Sequence, residues 1–258
     1  MKNALLIANR ELQAYFVQPV AYVVMTVFLL LGGWFFFALL RRFDVIQEMY
    51  LAMQNPRALA QLNLNQLVIQ PLLHNLAIVL VLLVPALTMR SFAEEKRIGT
   101  YELLLTSPVR TGEVVAGKFI AAMVMILVMV LLTAIFPLIL VLFGNPEIGI
   151  IASGYLGLAF LGVAFASVGL FTSSLTQNQI IAAISCLGAL LLLFVISWPA
   201  EIGGSTTVSA LLGYLALPGH FTNMVNGLID TKDIIYFLSL MAVALFLTQR
   251  AVESARWR

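Results

Sequence analysis

The apolar residues of this chain are gathered into six long, uninterrupted stretches separated by polar segments. A helix needs about 20 consecutive apolar residues to cross a bilayer, and none of the six stretches contains Asp, Glu, Lys or Arg. In lipid, backbone polar groups must be satisfied within the segment, which favours helices over open strands. The pattern therefore predicts an all-α membrane protein with six transmembrane helices, near residues 20–40, 71–89, 119–143, 151–172, 178–198 and 234–249.

Ahead of the first stretch, apolar residues recur with the period of an α-helix. Their i, i+3, i+4, i+7 spacing predicts an amphipathic helix, and Pro19 would end it where the chain turns into the membrane. Such a helix lies in the headgroup layer with its apolar face buried, so residues 1–19 are predicted to be interfacial. The alternative is a first span with a polar extension. The apolar positions are Leu5, Ala8, Leu12, Tyr15 and Phe16.

Two segments between the spans are longer than simple turns. Residues 43–70 are rich in Gln and Asn and are predicted to be a polar, partly helical excursion. Residues 199–233 contain apolar pieces that are too short to span a membrane and are separated by Gly and Pro. This pattern predicts short broken or re-entrant helices that pack on the bundle. No linker rich in Pro, Gly or Ser divides the chain, so residues 1–258 are predicted to form a single transmembrane domain.

The small number of charges sets the class of protein, and their placement sets its orientation. Apolar residues make up 62% of the 258 residues and charged residues 10%, whereas a soluble domain carries about 25% charged residues. The net charge of +2 gives no indication of nucleic-acid binding. If both termini are cytoplasmic, ten Lys and Arg residues lie inside and four outside, which favours that orientation.

The long charged segment between spans is residues 93–118. Residues 93–107 are predicted to be a helix that leaves the second span, with Thr100 to Leu105 as one or two of its turns. Pro108 ends it, because the residue before a proline disfavours helix. Three consecutive leucines at 103–105 stand between charged flanks, which predicts a cytoplasmic projection that binds a partner. The alternative is an ordinary loop whose charges only reflect the excess of basic residues on the inner side.

The residues that could carry chemistry are few and isolated. Gly112–Lys118 matches the G-x-x-x-x-G-K pattern of phosphate-binding loops, but Phe119 replaces the Ser or Thr that holds magnesium, and no strand precedes the pattern. His74 is predicted to be an interfacial or packing residue and His220 a turn residue. Cys186 lies in an apolar run and indicates neither a disulfide nor a metal site. The chain is therefore predicted not to be an enzyme, and ATP chemistry is expected on another chain.

Several segments are similar to those of a known family. Residues 95–109, EKRIGTYELLLTSPV, followed by EVVAGK at 113–118, resemble the coupling-helix signature of ABC-2 type transporter permeases. Within that family the chain is most similar to the gliding-motility-type permease. Further matches follow in the same order: the elbow helix at 10–19, the turn between the fourth and fifth spans at 173–179, and the approach to the last span at 226–230. The resemblance thus covers nearly the whole chain.

The resemblance implies a permease subunit of an ATP-binding-cassette transporter that exports an envelope substrate or acts on it mechanically. A separate ATPase would bind ATP and magnesium, so no cofactor and no metal are expected on this chain. Residues 93–118 become the cytoplasmic coupling segment and residues 1–19 the elbow helix. The implied ATPase-coupling residues are Glu95, Gly99, Thr100, Glu102, Leu103, Leu104, Leu105, Ser107 and Pro108, and the implied elbow residues are Arg10, Glu11, Tyr15, Phe16 and Pro19.

The same resemblance implies the partners and the location. The partners would be an ABC ATPase dimer, a second permease copy (identical or paralogous), membrane lipid, and an auxiliary subunit with a large extracytoplasmic region. The location would be the bacterial cytoplasmic (inner) membrane, with both termini cytoplasmic. The alternative function is a non-transporting membrane scaffold that recruits a cytoplasmic partner. The spans present no charged ring, and lipids, glycans, polypeptides and mechanical work are all compatible with them.

Overall fold

The computed structural model describes residues 2–17, 19–54, 62–101, 110–196 and 212–255. The regular elements in these ranges are helices, which confirms the predicted all-α class. A π-helical segment, Asn65–Ile69, leads into α3. The α-helices in chain order are α1 (Lys2–Val17), α2 (Pro19–Ala52), α3 (Gln70–Thr88), α4 (Arg90–Ile98), α5 (Thr111–Thr133), α6 (Ile135–Phe143), α7 (Ile148–Leu175), α8 (Gln179–Val195), α9 (Leu217–Val225) and α10 (Thr231–Ala255).

Five helical segments in the described residues are long and apolar enough to cross a membrane, which confirms five of the six predicted spans. At the remaining predicted span, 178–198, the structure has the apolar helix α8 of 17 residues. At 1.5 Å per residue that helix is about 26 Å long. The five segments are Pro19–Ala52, Asn65–Ile98, Thr111–Phe143, Ile148–Leu175 and Thr231–Ser254.

The first span and the polar residues after it form one continuous helix. α2 runs for 34 residues and passes through Arg41 and Arg42 without a break. The predicted excursion at 43–70 therefore begins as an extension of α2, and residues 55–61 of it lie outside the described ranges. The extension follows from the sequence, because Gly and Pro are absent between Trp34 and Asn55.

Two spans are interrupted near a proline. Pro85 lies inside α3, and α3 passes into α4 at Met89. Similarly, α5 passes into α6 at Ala134, and Pro137 follows one turn later. A proline lacks the N–H that would bond to the carbonyl four residues earlier. For Pro137 that carbonyl belongs to Thr133, and the hydroxyl of Tyr155 on α7 donates to it at 2.9 Å.

α7 is the central helix of the bundle, and its small residues let neighbours approach closely. A Cβ added at Gly169 would lie 2.1 Å from Thr88 Oγ1 on α3, and one at Gly157 would lie 2.8 Å from Met224 Cβ on α9. Small residues permit such close helix packing in membranes. The small face of this helix therefore packs within the chain.

Part of the predicted broken segment at 199–233 is described. It contains the short helix α9, which packs against α7, whereas residues 197–211 lie outside the described ranges. His220, predicted to be a turn residue, lies inside α9 and is 6% exposed. The prediction was wrong because Pro218 occupies the first turn of the helix, where a missing N–H costs nothing.

Candidate functional site

Three helices meet at the end of the bundle that carries the charged segment. α1 lies across the first turns of α5, and α4 extends the second span beside both. The crossing of α1 and α5 is tight at Gly117, where a Cβ would lie 2.8 Å from both the main-chain oxygen of Ala4 and the Cβ of Ile7. Any larger residue at Gly117 would push the two helices apart.

Lys118 is buried at the point where these three helices meet. Its side chain is 2% exposed, and its Nζ donates to Glu11 Oε1 of α1 at 2.7 Å and to Glu95 Oε1 of α4 at 2.8 Å. The same ammonium group lies 5.2 Å from the centroid of the Phe92 ring. One cation on α5 therefore joins α1 to α4.

The energetics of this cluster depend on all of its members. Removing one partner of a buried ion pair typically costs about 3–5 kcal/mol, because the remaining charge stays buried without compensation. Within the part of the chain that the structure describes, Glu95 Oε2 is buried without a hydrogen-bond partner. Because this second oxygen has no hydrogen bond of its own, the negative charge of Glu95 depends the more on Lys118 for stabilisation.

A cavity of about 260 Å³ opens beside the cluster, between α1, α4 and the start of α5. Its charged lining is balanced, with three acidic and three basic side chains. The described charged groups that line the cavity therefore carry no net charge when all are ionised. The charged lining residues are Arg10, Glu11, Arg90, Glu94, Glu95 and Lys118.

The start of α4 is held by α7. Ser173 Oγ accepts from the N–H groups of Phe92 and Ala93 at 3.1 and 3.2 Å, and donates to the main-chain oxygen of Met89 at 2.9 Å. One turn further on, Lys96 Nζ donates to the main-chain oxygen of Ser174. The helix is interrupted at Met89, and the Ser173 hydroxyl supplies hydrogen-bond partners for the main-chain groups of Met89, Phe92 and Ala93.

α1 also contacts α4 and the beginning of α5 through polar side chains. The Tyr15 hydroxyl lies 3.5 Å from Ser91 Oγ. Burial raises the pKa of Tyr15 to about 12, opposed by its hydrogen bond with Ser91. Asn3 Nδ2 donates to Glu113 Oε2 at 3.1 Å. α1 is therefore fixed to both helices that flank the charged segment.

The charged segment leaves α4 through a defined turn. Gly99 ends α4 with φ 77°, a left-handed conformation that favours glycine. The prediction of one helix over 93–107 was therefore wrong at Gly99, where the helix is interrupted. Next to it, the Tyr101 hydroxyl donates to the main-chain oxygen of Val252 on α10 at 3.5 Å, and Lys96 lies over the Tyr101 ring. Burial, and then the negative charge of Glu95, raise the pKa of Tyr101 to about 12. The chain entering residues 102–109 is thus anchored to the last span.

The structure brings together some of the predicted site residues. Glu11, Tyr15 and Glu95 meet at the Lys118 cluster, and Arg10 lines its cavity. Thr100 is exposed and its hydroxyl donates to the main-chain oxygen of Glu95 at 3.5 Å. The predicted coupling residues that lie outside the described residues are Glu102, Leu103, Leu104, Leu105, Ser107 and Pro108.

The helix α1 covers most of the residues of the predicted elbow helix, and its apolar residues point in two directions. The face toward the bundle is small, with Ala4 and Ala8 buried. Leu5 is 60% exposed on the outside of the chain and Phe16 is 43% exposed, with its ring edge against Tyr22. Pro19 begins α2.

Sequence reasoning missed the central residue of the cluster. The sequence places Lys118 in a phosphate-loop pattern and at the end of the EVVAGK motif, and neither indicates an ion pair. Gly112–Lys118 lies within the first turns of α5, and the lysine donates to two carboxylates. This is not the geometry of a phosphate-binding loop. Ser173 was noted only as part of a matching turn. A lysine at the start of an apolar span, with glutamates in two flanking helices, is the signal that could have indicated the ion pair.

Comparison with known families decides what this bundle belongs to. A family model described as ABC-2 family transporter protein matches residues 5–250. The chain belongs to this family. Among curated proteins, none matches the chain.

Membership of the ABC-2 family transporter proteins gives the general role. The chain is a multi-pass transmembrane permease component of an ABC transporter, a class of subunit that is generally not catalytic itself. The family also implies association with an ABC ATPase. In this ABC-2 family transporter protein, the Lys118 cluster joins the two ends of the charged segment at 93–118 to α1.

Proposed function

We propose that this permease is driven by a separate ABC ATPase through residues 95–108, and that it exports an envelope substrate or acts on it mechanically, as in the gliding-motility-type transporters. The observation that carries the proposal is the buried contact of Lys118 with Glu11 and Glu95. This contact joins the helix that enters the segment, the helix that leaves it, and α1.

The proposed coupling follows from this joint. The ATPase, which binds the ATP and magnesium, grips the leucines at 103–105, and closure of its dimer displaces the segment. Because α4 and α5 are linked through Lys118, the displacement moves both helices and carries α1 with them. The Tyr101 contact with α10 and the Ser173 contact with α4 extend the movement to the last and central spans.

The orientation and assembly belong to the same proposal. The charged segment and both termini face the cytoplasm of a bacterium, as the ten inner and four outer basic residues favour. α8 serves as the sixth span. Six spans are few for a complete pathway, so a second permease copy, identical or paralogous, lies beside this one. An auxiliary subunit with a large extracytoplasmic region completes the gliding-type assembly.

The contact with the ATPase is tested by charge reversal. Glu102→Arg and Leu104→Asp are each expected to abolish co-purification of a co-expressed ABC ATPase, because they place a wrong charge in the docking surface. Glu48→Arg, an equal charge reversal on the exposed far part of α2, is the matched control and should leave binding intact. Retained binding of the ATPase by both segment variants would contradict the proposed contact.

The coupling itself is tested with spin labels on α1 and α7 in the complex with the ATPase. Adding ATP is expected to change the distance between them in the native chain and to change it less in Glu95→Gln, which weakens the link to Lys118. The ATPase should still bind Glu95→Gln. An ATPase that binds without moving α1 in the native protein would instead favour a scaffold.

A further inference from the structure

A second buried polar cluster lies at the opposite end of the bundle from Lys118. His220 Nδ1 on α9 is 2.6 Å from Asp233 Oδ1 on α10, and the Asp233 side chain is fully buried. Along α10, Asp233 is 19 residues from Val252, where Tyr101 docks, or roughly 28 Å. This cluster is therefore separate from the coupling site.

The other atoms of the pair are also engaged. His220 Nε2 lies 2.9 Å from the main-chain oxygen of Tyr214. Asp233 Oδ2 accepts from Asn223 Nδ2 at 3.1 Å. A main-chain carbonyl can only accept a hydrogen bond, so the contact with Tyr214 requires a hydrogen on Nε2.

The number of protons follows from these contacts. A neutral imidazole carries one N–H, and that hydrogen is already used at Nε2. Nδ1 would then present a lone pair to a carboxylate oxygen only 2.6 Å away, which is repulsive. One additional proton, either on the His220 ring or on the Asp233 carboxyl, satisfies both contacts. The two arrangements contain the same number of protons.

The other histidine of the chain provides a contrast. His74 Nδ1 faces the main-chain oxygen of Gln70 at 2.8 Å, but its Nε2 faces the hydroxyl of Thr222 at 3.2 Å. A hydroxyl can donate as well as accept. A neutral His74 ring therefore satisfies both of its contacts without an additional proton.

We propose that His220 and Asp233 form a resident proton-binding site, and that its proton fastens residues 212–216 to α9 and α10. The carbonyl of Tyr214 is held by His220, and the carbonyl of Leu215 accepts from the Tyr236 hydroxyl at 2.6 Å. The Tyr236 ring stacks on the imidazole at 4.1 Å between centroids, and the Tyr214 ring meets it edge-on at 5.2 Å. Two consecutive carbonyls thus depend on one buried network.

Among the described residues, few other titratable groups lie near the pair, and Lys232 interacts electrostatically with Asp233. α10 contributes Asp233 and Tyr236, and the segment at 212–216 contributes Tyr214. Asp230 and Lys232, just before Asp233, pair with each other at 3.0 Å on the surface, and that pairing lowers the pKa of Asp230. The packed helices α7 and α8 carry only Tyr155 and Cys186 as titratable side chains.

The geometry also excludes a catalytic use of the pair. A histidine that acts as a general base needs a ring nitrogen with a free lone pair pointing at its substrate. In His220 the nitrogen distal to Asp233 donates to the main chain. The bound proton therefore has a structural role, and without it one of the two His220 contacts is broken.

The protonation state is measured on the full chain in lipid nanodiscs with isotope-labelled His and Asp, at about pH 7. We expect either two protonated ring nitrogens on His220 or a protonated carboxyl at Asp233, and a singly protonated ring on His74. His74→Gln assigns the two sets of signals. A singly protonated His220 beside an ionised Asp233 would overturn the proposal.

The fastening is measured by hydrogen exchange of the backbone amides at 212–216, corrected for the intrinsic effect of pH on exchange. Protection of the native chain is expected to fall by about tenfold or more as the pH rises and the proton leaves, because a buried contact is lost. In Asp233→Asn, the amide can donate to Nδ1 of a neutral ring while its oxygen still accepts from Asn223. This variant should stay protected, with less than about a twofold change. An equal fall in protection in both proteins, or none in the native chain, would contradict the proposal.

Discussion

The hydroxyl of Tyr155 on α7 donates at 2.9 Å to the main-chain oxygen of Thr133 on α5. This is the oxygen that Pro137 leaves without its usual helical partner. In lipid an unpaired carbonyl is costly, because no water is available to replace the missing N–H. The interruption of the third span is therefore stabilised by a side chain from the central helix. Substitutions of Tyr155 and Pro137 should have non-additive effects on stability.

Tyr155→Phe is expected to lower the free energy of unfolding by about 1–3 kcal/mol, because it leaves the Thr133 oxygen unpaired in the bundle. In a Pro137→Ala background the new N–H can bond to that oxygen, so the same substitution should cost clearly less. A double-mutant cycle by denaturant unfolding in detergent measures this coupling. Additive effects of the two substitutions would show that Tyr155 does not compensate for Pro137.

Lys118→Met is expected to destabilise the chain by about 3–5 kcal/mol, because the partly buried carboxylates of Glu11 and Glu95 would lose their cation. Arg250→Met is the control: it removes an ion pair with Glu253 in which the arginine is 65% exposed, and should cost about 1 kcal/mol or less. Thermal unfolding of the purified permease compares the two variants.

The same cluster gives a rescue experiment. Adding Glu11→Gln and Glu95→Gln to Lys118→Met removes the uncompensated charges, so much of the lost stability should return. If the triple variant is no more stable than Lys118→Met alone, then the loss arises from packing around the lysine stem rather than from the unpaired carboxylates.

Gly169→Ala is expected to cost about 1–3 kcal/mol, because its Cβ would lie 2.1 Å from Thr88 Oγ1 and α7 would have to separate from α3. Gly188→Ala on α8 is the matched control. A Cβ at Gly188 meets nothing within 4 Å, and alanine is the better helix former, so it should be neutral or stabilising by up to about 1 kcal/mol. Equal thermal stability of the two variants would contradict the packing of α7 against α3.

Ser173→Ala is expected to weaken α4 by about 1–2 kcal/mol, as for the loss of a helix cap, because the N–H groups of Phe92 and Ala93 lose their acceptor. Hydrogen exchange at 90–98 should therefore accelerate. Ser167→Ala, also buried on α7, removes only a bond within its own helix to the oxygen of Ala164 and should leave exchange in α4 unchanged. Faster exchange in both variants would indicate a general loosening of α7.

The positions of the spans could be predicted because length and hydrophobicity alone determine them. Five predicted stretches coincide with span-length helices, and α1 coincides with the amphipathic pattern ahead of Pro19. The full length of α2 could not be predicted from hydropathy. The hydropathy pattern ends at Arg41, whereas helical hydrogen bonding continues to Ala52 because nothing in that stretch breaks it.

The polar joints could not be predicted, because their partners are distant in sequence. Glu11 and Lys118 are 107 residues apart, and Phe92 and Ser173 are 81 apart. Periodicity places a residue on a face of its own helix but says nothing about which helix lies opposite. The prediction that His220 lies in a turn was wrong for a more local reason. Pro218 and Gly219 are typical of turns, yet here they stand in the first turn of α9.

The Ser173 contact has a consequence for the proposed coupling. Because the hydroxyl of Ser173 holds the start of α4, a displacement of the charged segment by an ATPase would reach α7 as well as α3. α7 is in turn packed against α3, α5, α8, α9 and α10. Under that proposal, Ser173 would be the pivot about which the helices packed on α7 tilt.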